Sequence, residues 1–351
     1  MQKTRITILI FLFVAAFALA LDAPKTNEAG QFQINKTTPL KLNIPDGWPK
    51  PSSNIFANNP LTEEGFQLGR KLFYDGRLSK DGNFACASCH QQFAAFATYD
   101  HDLSHGFHDQ FTTRNAPPLF NLAWKKLYHW DGGVNHIEVQ ALSPMTAPNE
   151  MAENIDSVLL KLKKDTSYVR MFKSAFGSNL VNSQRMLKAI AQFVGSMVSS
   201  DSKYDKVKRG EDTFNPAEEH GYELFKTNCA NCHKEPLFTD NSFRNNGLPL
   251  NDYLKDYGRM RITGDPADSL KFMVPSLRNV SVTFPYMHDG RLYSLYKVVD
   301  HYRTGVILSP TLDSSLRKAV NITDGERDDI VYFLHTLKDT SFLKNKRFSQ
   351  P

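Results

Sequence analysis

This 351-residue sequence has few cysteines, a small net charge and few long apolar runs. There are only four cysteines, and the formal net charge is +5. This charge excess is too small to favour nucleic acid as a partner, so none is expected. After the first twenty residues no apolar run is long enough to cross a bilayer, and no glycine-rich phosphate-binding loop occurs. These absences argue against a nucleic-acid-binding protein, a multi-span membrane protein and a P-loop nucleotide-binding protein.

The first twenty residues, MQKTRITILIFLFVAAFALA, have the pattern of a secretory signal peptide. Lys3 and Arg5 supply the positive end, an apolar run starts at Ile6, and Ala-Leu-Ala at 18–20 is a small-x-small cleavage signal. Removing segment 1–20 takes away two positive charges and leaves a net charge of +3. A retained membrane anchor is the alternative, although the run is short for a bilayer span. We expect export to the periplasm, with residues 21–58 as a Pro-rich N-terminal extension.

All four cysteines belong to two Cys-x-x-Cys-His motifs, the attachment signature of c-type haem. On a helical turn the two thiols and the histidine share a face, so both thiols can bond to one porphyrin while the imidazole reaches its iron. Two zinc knuckles or two disulfides are the alternatives, but the added histidines over-supply a tetrahedral zinc site. The sequence therefore predicts two covalently bound haem c groups. Their attachment residues are Cys86, Cys89 and His90 for the first and Cys229, Cys232 and His233 for the second.

A similar segment precedes each haem motif. Acidic residues are followed by Gly-x-x-Leu-Phe at 69–73 and again at 221–225. This self-similarity indicates two copies of one unit. Thr62 and Asn215 are suitable N-caps for short amphipathic helices that lead into the motifs.

A helix-period segment closes each half of the chain. RMLKAIAQFVGSMVSS ends the first half, and TDGERDDIVYFLHTL ends the second, where Thr323 and Glu326 form a capping box. Strand-like alternation is sparse, so the predicted fold class is mainly α. We expect two cytochrome-c-like haem domains, 59–204 and 205–351, related as an internal repeat and packed around an interdomain interface.

Seven stretches, taken in order, resemble the bacterial di-haem cytochrome c peroxidase family, including its MauG-type members. The resemblance covers about residues 59–337. The stretches are NPLTEEGFQLGRKLFYDGRLSKDGNFACASCH, RNAPPLFN, HWDGG, VQALSPMTAPNEM, ANCHKEPLFTD, VPSLRNVSVTFPYMHDGR and VVDHYRTG. The resemblance implies an enzyme, a cytochrome-c peroxidase, with one peroxide-reacting haem and one haem that relays electrons.

The resemblance also implies the residues around the first haem. His90 would be the proximal iron ligand, with Gln140 and Glu150 on the distal side. Splitting peroxide requires a proton to move from the iron-bound oxygen to the departing one, and a carboxylate above the iron can transfer it. Trp130, in HWDGG, matches the family tryptophan between the two haems. The alternatives are a solvated carboxylate for Glu150, a backbone-capping role for Gln140 and a core position for Trp130.

A calcium site is implied at the domain interface. Asn115 and the backbone carbonyls of Thr283 and Pro285 match the family's ligands, and hard oxygen donors of this kind suit Ca²⁺.

The second axial ligand of the second haem departs from the common pattern. Family peroxidases place a methionine fourteen residues after the histidine of PYxHxG, and here His288 leads to Tyr302 instead. MauG-type enzymes have tyrosine at this place. A phenolate oxygen stabilises ferric iron and lowers the potential. The alternative is a packed Tyr302, with the iron bound by Met260, Met273 or Met287.

A histidine-containing loop precedes Asn115. Many family peroxidases place a histidine from this loop on the resting iron and withdraw it after reduction, and His105 is the best candidate. Solvated loop histidines are the alternative.

The function expected from the resemblance is reduction of hydrogen peroxide with electrons from a small periplasmic donor such as cytochrome c. One alternative is a MauG-type oxidase acting on a protein or organic substrate, which Tyr302 favours. The other is a non-enzymatic di-haem electron carrier, against which Gln140 and Glu150 argue. Family likeness also suggests a homodimer.

Overall fold

The regular structure is almost entirely helical in the computed structural model of the protein, which describes residues 37–52, 55–99 and 101–351. The mainly α fold class is therefore confirmed, whereas the predicted signal peptide lies outside the described residues. No helix within these ranges is long and apolar enough to span a bilayer. The elements are α1 (Glu63–Phe73), α2 (Cys86–Cys89), α3 (Leu142–Thr146), α4 (Ile155–Lys164), α5 (Thr166–Phe176), α6 (Ser183–Gly195), α7 (Lys203–Lys208), α8 (Pro216–Asn228), α9 (Met260–Thr263), α10 (Leu295–Asp300), α11 (Asp324–His335), α12 (Thr340–Leu343), and the antiparallel strands β1 (Phe243–Arg244) and β2 (Phe272–Met273).

Two helix pairs, α1 with α6 and α8 with α11, organise the fold. A glycine lies at each crossing. A Cβ added to Gly69 would lie 1.9 Å from the carbonyl oxygen of Ala189, and one added to Gly221 would lie 1.9 Å from that of Asp329. Any side chain there would force the helices apart. These are the glycines of the two Gly-x-x-Leu-Phe segments.

The predicted helix starts and buried faces are confirmed. Thr62 accepts a hydrogen bond from the Gly65 amide at the start of α1, and Asn215 caps α8 through the Glu218 amide. Thr323 and Glu326 form the capping box of α11. The predicted apolar faces are buried, and their residues are Ile190, Phe193, Val194 and Met197 for the first closing segment and Ile330, Phe333, Leu334 and Leu337 for the second.

Buried apolar side chains form two clusters within the single compact unit Thr37–Pro351. One cluster is built around α1 and α6, and the other around α8 and α11. The C-terminal segment returns to the first cluster, where Phe348 packs on Phe66 with ring centroids 6.2 Å apart and Phe342 packs on Phe96 at 5.8 Å. The last residues of the chain therefore belong to the core of the first half.

The described part of the Pro-rich extension lies along the first half. The Leu40 amide donates to the Leu61 carbonyl at 2.9 Å, and the Trp48 ring meets that of Trp124 edge-on at 5.1 Å.

The segment that joins the two halves contains helix α7. Ser202 and Asp205 form its capping box. The fully buried Arg278 donates two hydrogen bonds to the Asp205 carboxylate, each 2.8 Å long. This pairing fixes the connection to the second half.

Candidate functional site

Each Cys-x-x-Cys-His motif forms one helical turn. The His90 amide donates to the Cys86 carbonyl at 2.9 Å, and the His233 amide donates to the Cys229 carbonyl at 3.0 Å. All four cysteines are free thiols. Burial raises the pKa of Cys86 and of Cys229 to about 12. Both thiol pairs are unbridged, as thioether attachment of haem requires.

Both motif histidines are oriented for iron binding. His90 Nδ1 lies 2.8 Å from the Phe96 carbonyl oxygen, and His233 Nδ1 lies 3.2 Å from the carbonyl oxygens of Phe238 and Pro275. A carbonyl acceptor at Nδ1 fixes the proton there and leaves Nε2 as the metal ligand. Burial lowers the pKa of His90 to about 4 and also lowers the pKa of His233. Both rings are therefore neutral, which is the form that binds iron.

A cavity of about 420 Å³ lies beside His90. Apolar side chains such as Phe73, Leu119 and Ile190 form part of its wall, which suits the apolar faces of a porphyrin. The cavity also brings together the residues implied for the first haem, namely Cys86, Cys89, His90, His105, Trp130, Gln140 and Glu150.

Short backbone turns hold Gln140 and Glu150 in this cavity. Gln140 follows the 3-10 turn Ile137–Val139, and the Glu150 amide donates to the Ala147 carbonyl at 3.0 Å. Gln140 Oε1 is buried without a hydrogen-bond partner in the described part of the chain. Burial raises the pKa of Glu150. Both groups are therefore available to a ligand in the cavity.

Glu150 lies close enough to the haem-attachment turn to affect the Cys89 thiol. The pKa of the Cys89 thiol is raised by burial and, in addition, by the negative charge of Glu150. The negative charge of Glu150 therefore acts directly on a thiol of the first haem-attachment motif.

The loop that carries His105 is attached to the Glu150 turn. The Phe107 amide donates to the Glu150 carbonyl at 2.7 Å. A Cβ on Gly106 would lie 2.2 Å from the Asn149 carbonyl oxygen, so only glycine allows this contact. His105 itself is exposed, and its ring centroid lies 4.5 Å from that of Phe111. Movement of this loop would therefore act directly on the Glu150 backbone.

Trp130 connects the cavity to the second half of the chain. Its indole Nε1 donates to the Asn115 carbonyl at 2.8 Å, and its own carbonyl accepts from the Met273 amide at 2.8 Å. Because Met273 belongs to β2, Trp130 lies at the contact between the two halves.

Two of the three residues implied for calcium are in contact. Asn115 is buried, and its side-chain nitrogen lies 2.6 Å from the Pro285 carbonyl oxygen, with Thr283 two positions earlier. An amide flip would turn the Asn115 oxygen toward that carbonyl, so two hard donors could face one cation. Across 37–52, 55–99 and 101–351 no three His, Cys, Asp or Glu side chains converge on a metal position. A cation here would therefore rely on neutral oxygens.

Tyr302 lies near the second thiol pair. It is part of a π-helical turn, His301–Gly305, that extends α10, and such turns are frequent at functional sites. The pKa of Tyr302 is raised to about 12, mainly by burial; a hydrogen bond with the Asn246 side chain opposes this, while Cys229 and Cys232 add to it.

The three alternative methionines differ in position. Met287 Sδ accepts a hydrogen bond from Asn246 Nδ2 at 3.5 Å, so it shares a neighbour with Tyr302. Met273 is buried in β2, and Met260 begins α9, whose next two residues line the His90 cavity. Met287 and Tyr302 therefore share Asn246 as a hydrogen-bonding neighbour.

Sequence reasoning missed two residues of the His90 cavity, His129 and Arg114. Burial lowers the pKa of His129. Arg114 donates to Asp131 at 2.6 Å and to Asp256 at 2.6 and 2.9 Å, which ties the first half to the second. Asp131 lies in the HWDGG motif, so the sequence offered a signal for it, whereas Asp256 lies outside every quoted motif.

A mainly helical fold with two Cys-x-x-Cys-His turns, each holding a half-buried, neutral imidazole, defines a c-type haem protein with two haem sites. The sequence profile described as di-haem cytochrome c peroxidase matches residues 63–213. The chain is 36% identical over 300 residues to the methylamine utilization protein MauG of Methylorubrum extorquens, covering 84% of this chain and 82% of that protein. It belongs to the di-haem cytochrome c peroxidase family.

Among further relatives, some are named peroxidases and others are described as MauG-like. The chain is 35% identical over 265 residues to cytochrome c551 peroxidase of Nitrosomonas europaea, covering 72% of this chain and 76% of that protein. A solved structure described as a MauG-like protein associated with microbial copper homeostasis is 33% identical, with a TM-score of 0.79, and covers 89% of this chain and 99% of that one. The family implies haem c as the cofactor and an oxidoreductase activity, and it includes peroxidases and MauG proteins alike.

Proposed function

We propose that this protein reduces hydrogen peroxide to water in the periplasm, using electrons from a small redox donor such as cytochrome c. The observation that supports it is that His90, Gln140 and Glu150 line one and the same cavity. Cys86, Cys89 and His90 would hold a haem, whose iron would supply the redox chemistry of peroxide reduction. The surrounding side chains would orient the peroxide and move its proton.

Glu150 is the proton carrier in this proposal. Because burial raises its pKa above that of an exposed glutamate, the carboxyl group binds and releases a proton closer to neutral pH. It takes the proton from one peroxide oxygen and returns it to the other. Gln140 Oε1, which is buried and unpartnered, accepts a hydrogen bond from the peroxide and orients it. A simple electron carrier has no need of either group.

Trp130 is proposed as the electron route between the two halves, with the electron-receiving haem at Cys229, Cys232 and His233. The matching glycine crossings of the two helix pairs support an internal repeat of two haem units, 59–204 and 205–351. We also propose that calcium binds at Asn115, Thr283 and Pro285. The signal peptide is proposed to direct export.

A MauG-type oxidase is the second candidate, and Tyr302 favours it. The phenol lies near Cys229 and Cys232, where an oxygen ligand would stabilise the oxidised state of the second haem. In this candidate the electrons come from a protein or organic substrate rather than from a small donor. Similarity to MauG proteins over most of the chain supports it as well.

One experiment separates these functions. Spectra of the purified holoprotein are recorded oxidised, half-reduced and after addition of peroxide, and turnover is then assayed with reduced cytochrome c. Peroxide-dependent oxidation of cytochrome c supports the peroxidase. A peroxide reaction without cytochrome c oxidation favours the MauG-type oxidase. If no high-spin signal and no peroxide reaction are found, a di-haem electron carrier is the better description.

A further inference from the structure

Two buried tyrosines outside the peroxide cavity donate to one carboxylate oxygen. The hydroxyl of Tyr204, in α7, lies 2.6 Å from Glu235 Oε1, and that of Tyr222, in α8, lies 2.8 Å from the same atom. Tyr204 is 3% exposed and Tyr222 is 7% exposed. Glu235 itself is exposed to solvent. We call these three residues the tyrosine–glutamate site.

The tyrosine–glutamate site is adjacent to the second haem turn. Glu235 follows His233 by two residues. The Tyr204 ring packs edge-on against Phe238 with centroids 4.8 Å apart, and the Phe238 carbonyl lies 3.2 Å from His233 Nδ1. Phe238 therefore contacts the Tyr204 ring with its side chain and orients the His233 imidazole with its carbonyl group.

The arrangement suits coupled loss of an electron and a proton. A phenol that loses an electron becomes a strong acid, so an acceptor must already be in place to receive its proton. Glu235 Oε1 lies within the 2.6–3.2 Å range of proton transfer. Burial, followed by the hydrogen bond to Glu235, raises the pKa of both phenols, so they are protonated before oxidation.

Nearby cations distinguish the two tyrosines. Lys226 lies 4.6 Å and Lys208 lies 5.4 Å from the centre of the Tyr222 ring, whereas Lys208 is 5.9 Å from that of Tyr204. Positive charge close to a ring opposes the removal of an electron from it. Arg278 also acts on Tyr204, but its charge is paired with the Asp205 carboxylate. Together with the contact to Phe238, this makes Tyr204 the better electron donor of the pair.

We propose that the tyrosine–glutamate site supplies one electron to the di-haem centre after peroxide has oxidised it. This inference rests on the function proposed above. The electron leaves Tyr204 and reduces the oxidised di-haem centre by one equivalent. The O–H bond of Tyr204 breaks, and its proton moves to Glu235 Oε1, which gives a neutral phenoxyl radical and a protonated carboxyl group. One electron from an external donor and return of the proton restore the site.

The site holds one oxidising equivalent away from the peroxide cavity while no external donor is bound. Tyr222 remains hydrogen-bonded to Glu235 and keeps the carboxylate in position. In this role Tyr222 is a positioning residue, and Tyr204 is the redox-active one.

Tyr168 provides a matched control. It is fully buried, and its hydroxyl lies 2.6 Å from Asp75 Oδ2, so its phenol–carboxylate pair resembles that of Tyr204. Its ring, however, faces Lys71 at 4.7 Å and Arg77 at 5.2 Å. Tyr168 also belongs to the first buried cluster, whereas Tyr204 belongs to the second, beside the His233 turn.

The test uses holoprotein with both haems bound, mixed with one equivalent of hydrogen peroxide without reductant and then frozen. Optical spectra follow haem oxidation, and electron paramagnetic resonance detects organic radicals. Wild-type protein is expected to show a tyrosyl signal whose hyperfine structure collapses when the protein contains ring-deuterated tyrosine. Tyr204→Phe loses this signal, Glu235→Gln weakens it because an amide cannot take the proton, and Tyr168→Phe retains it.

The outcomes are distinguishable. A full tyrosyl signal in Tyr204→Phe, or none in wild-type protein whose haem spectra do respond to peroxide, overturns the tyrosine–glutamate site alone. Haem spectra that do not respond to peroxide overturn the proposed function, and the tyrosine site then loses its oxidant and falls with it. Haem content and far-ultraviolet circular dichroism of each variant show whether it has folded. Glu235→Gln keeps a hydrogen-bond acceptor for both phenols, so a weaker signal in a normally folded variant reports proton transfer rather than packing.

Discussion

The indole nitrogen of Trp130 donates a hydrogen bond to the Asn115 carbonyl, and the side chain of that same Asn115 contacts the Pro285 carbonyl. Trp130 lines the His90 cavity, whereas Pro285 belongs to the second half. A change at Asn115 therefore reaches both the proposed cation position and the tryptophan.

Calcium should stabilise the wild-type protein but not Asn115→Ala. Binding to the folded state alone adds about 2.7 kcal/mol at a ligand concentration of 100 times Kd. Chemical denaturation after chelator treatment, with and without added calcium, measures the difference. Asn58→Ala, which alters an exposed asparagine, is the control and should respond like wild type. An equal calcium response in Asn115→Ala would remove Asn115 from the ligand set.

Glu150→Gln should keep both haems and lower peroxide turnover by about 10²- to 10⁴-fold, the usual contribution of a general acid–base group. The pKa of Glu150 is raised by burial, so its ionisation above that pKa costs folding stability. The neutral variant is therefore expected to be at least as stable as wild type at pH 7. Unchanged turnover in a variant with full haem content would assign proton transfer to another group.

The pH dependence of the peroxide reaction should show the same carboxyl group. Proton uptake from peroxide requires ionised Glu150, so the wild-type rate should increase as the pH passes the raised pKa of Glu150. The midpoint of this increase should lie above about 4.3, the pKa of an exposed glutamate. Stopped-flow rates from pH 4 to 8 measure it, and the rise should be missing in Glu150→Gln. A rise that is identical in both proteins would show that a different group titrates.

Tyr302→Met should raise the reduction potential of the second haem, because a thioether favours ferrous iron whereas a phenolate favours ferric iron. Spectroelectrochemical titration of the two haems measures this change. Met287→Leu is the matched control, since Met287 and Tyr302 share Asn246 as a neighbour. Should Met287→Leu shift the potential while Tyr302→Met does not, Met287 is the ligand.

Gly221→Ala and Gly69→Ala should each destabilise the fold, since the new methyl group would lie 1.9 Å from a backbone oxygen of the partner helix. Overpacking of this kind costs about 1–3 kcal/mol or more. Gly325→Ala, in α11, meets no atom within 4 Å and should gain about 0.5–1 kcal/mol from helix propensity. Urea denaturation of the three variants compares them. Equal stabilities would show that the helix crossings adjust to a side chain.

Local signals in the sequence were enough to predict the haem turns, the helix caps and the buried helix faces. Thr62, Asn215 and the Thr323–Glu326 box act through neighbours within three residues, so their roles are visible in a short window. The family resemblance supplied Glu150 and Gln140, and the structure brings both to the His90 cavity. Their chemical roles stay predictions.

Contacts between distant segments could not be predicted in this way. Asn246 meets Tyr302 and Met287 only in the folded chain, and the bonds from Tyr204 and Tyr222 to Glu235 join three separate elements. Helix α7 spans the predicted boundary between 59–204 and 205–351, where no helix was predicted. Its position depends on Arg278, more than seventy residues later.

Phe342 and Phe348 complete a core that begins with α1. During synthesis the first half therefore cannot reach its final packing until nearly the whole polypeptide is available. Truncation by about ten residues would leave an apolar surface on the half that contains His90, although every haem-attachment residue would still be present. Helix α1 and the segment around Phe342 and Phe348 thus fold together, and maturation of the first half must wait until that segment has been synthesised.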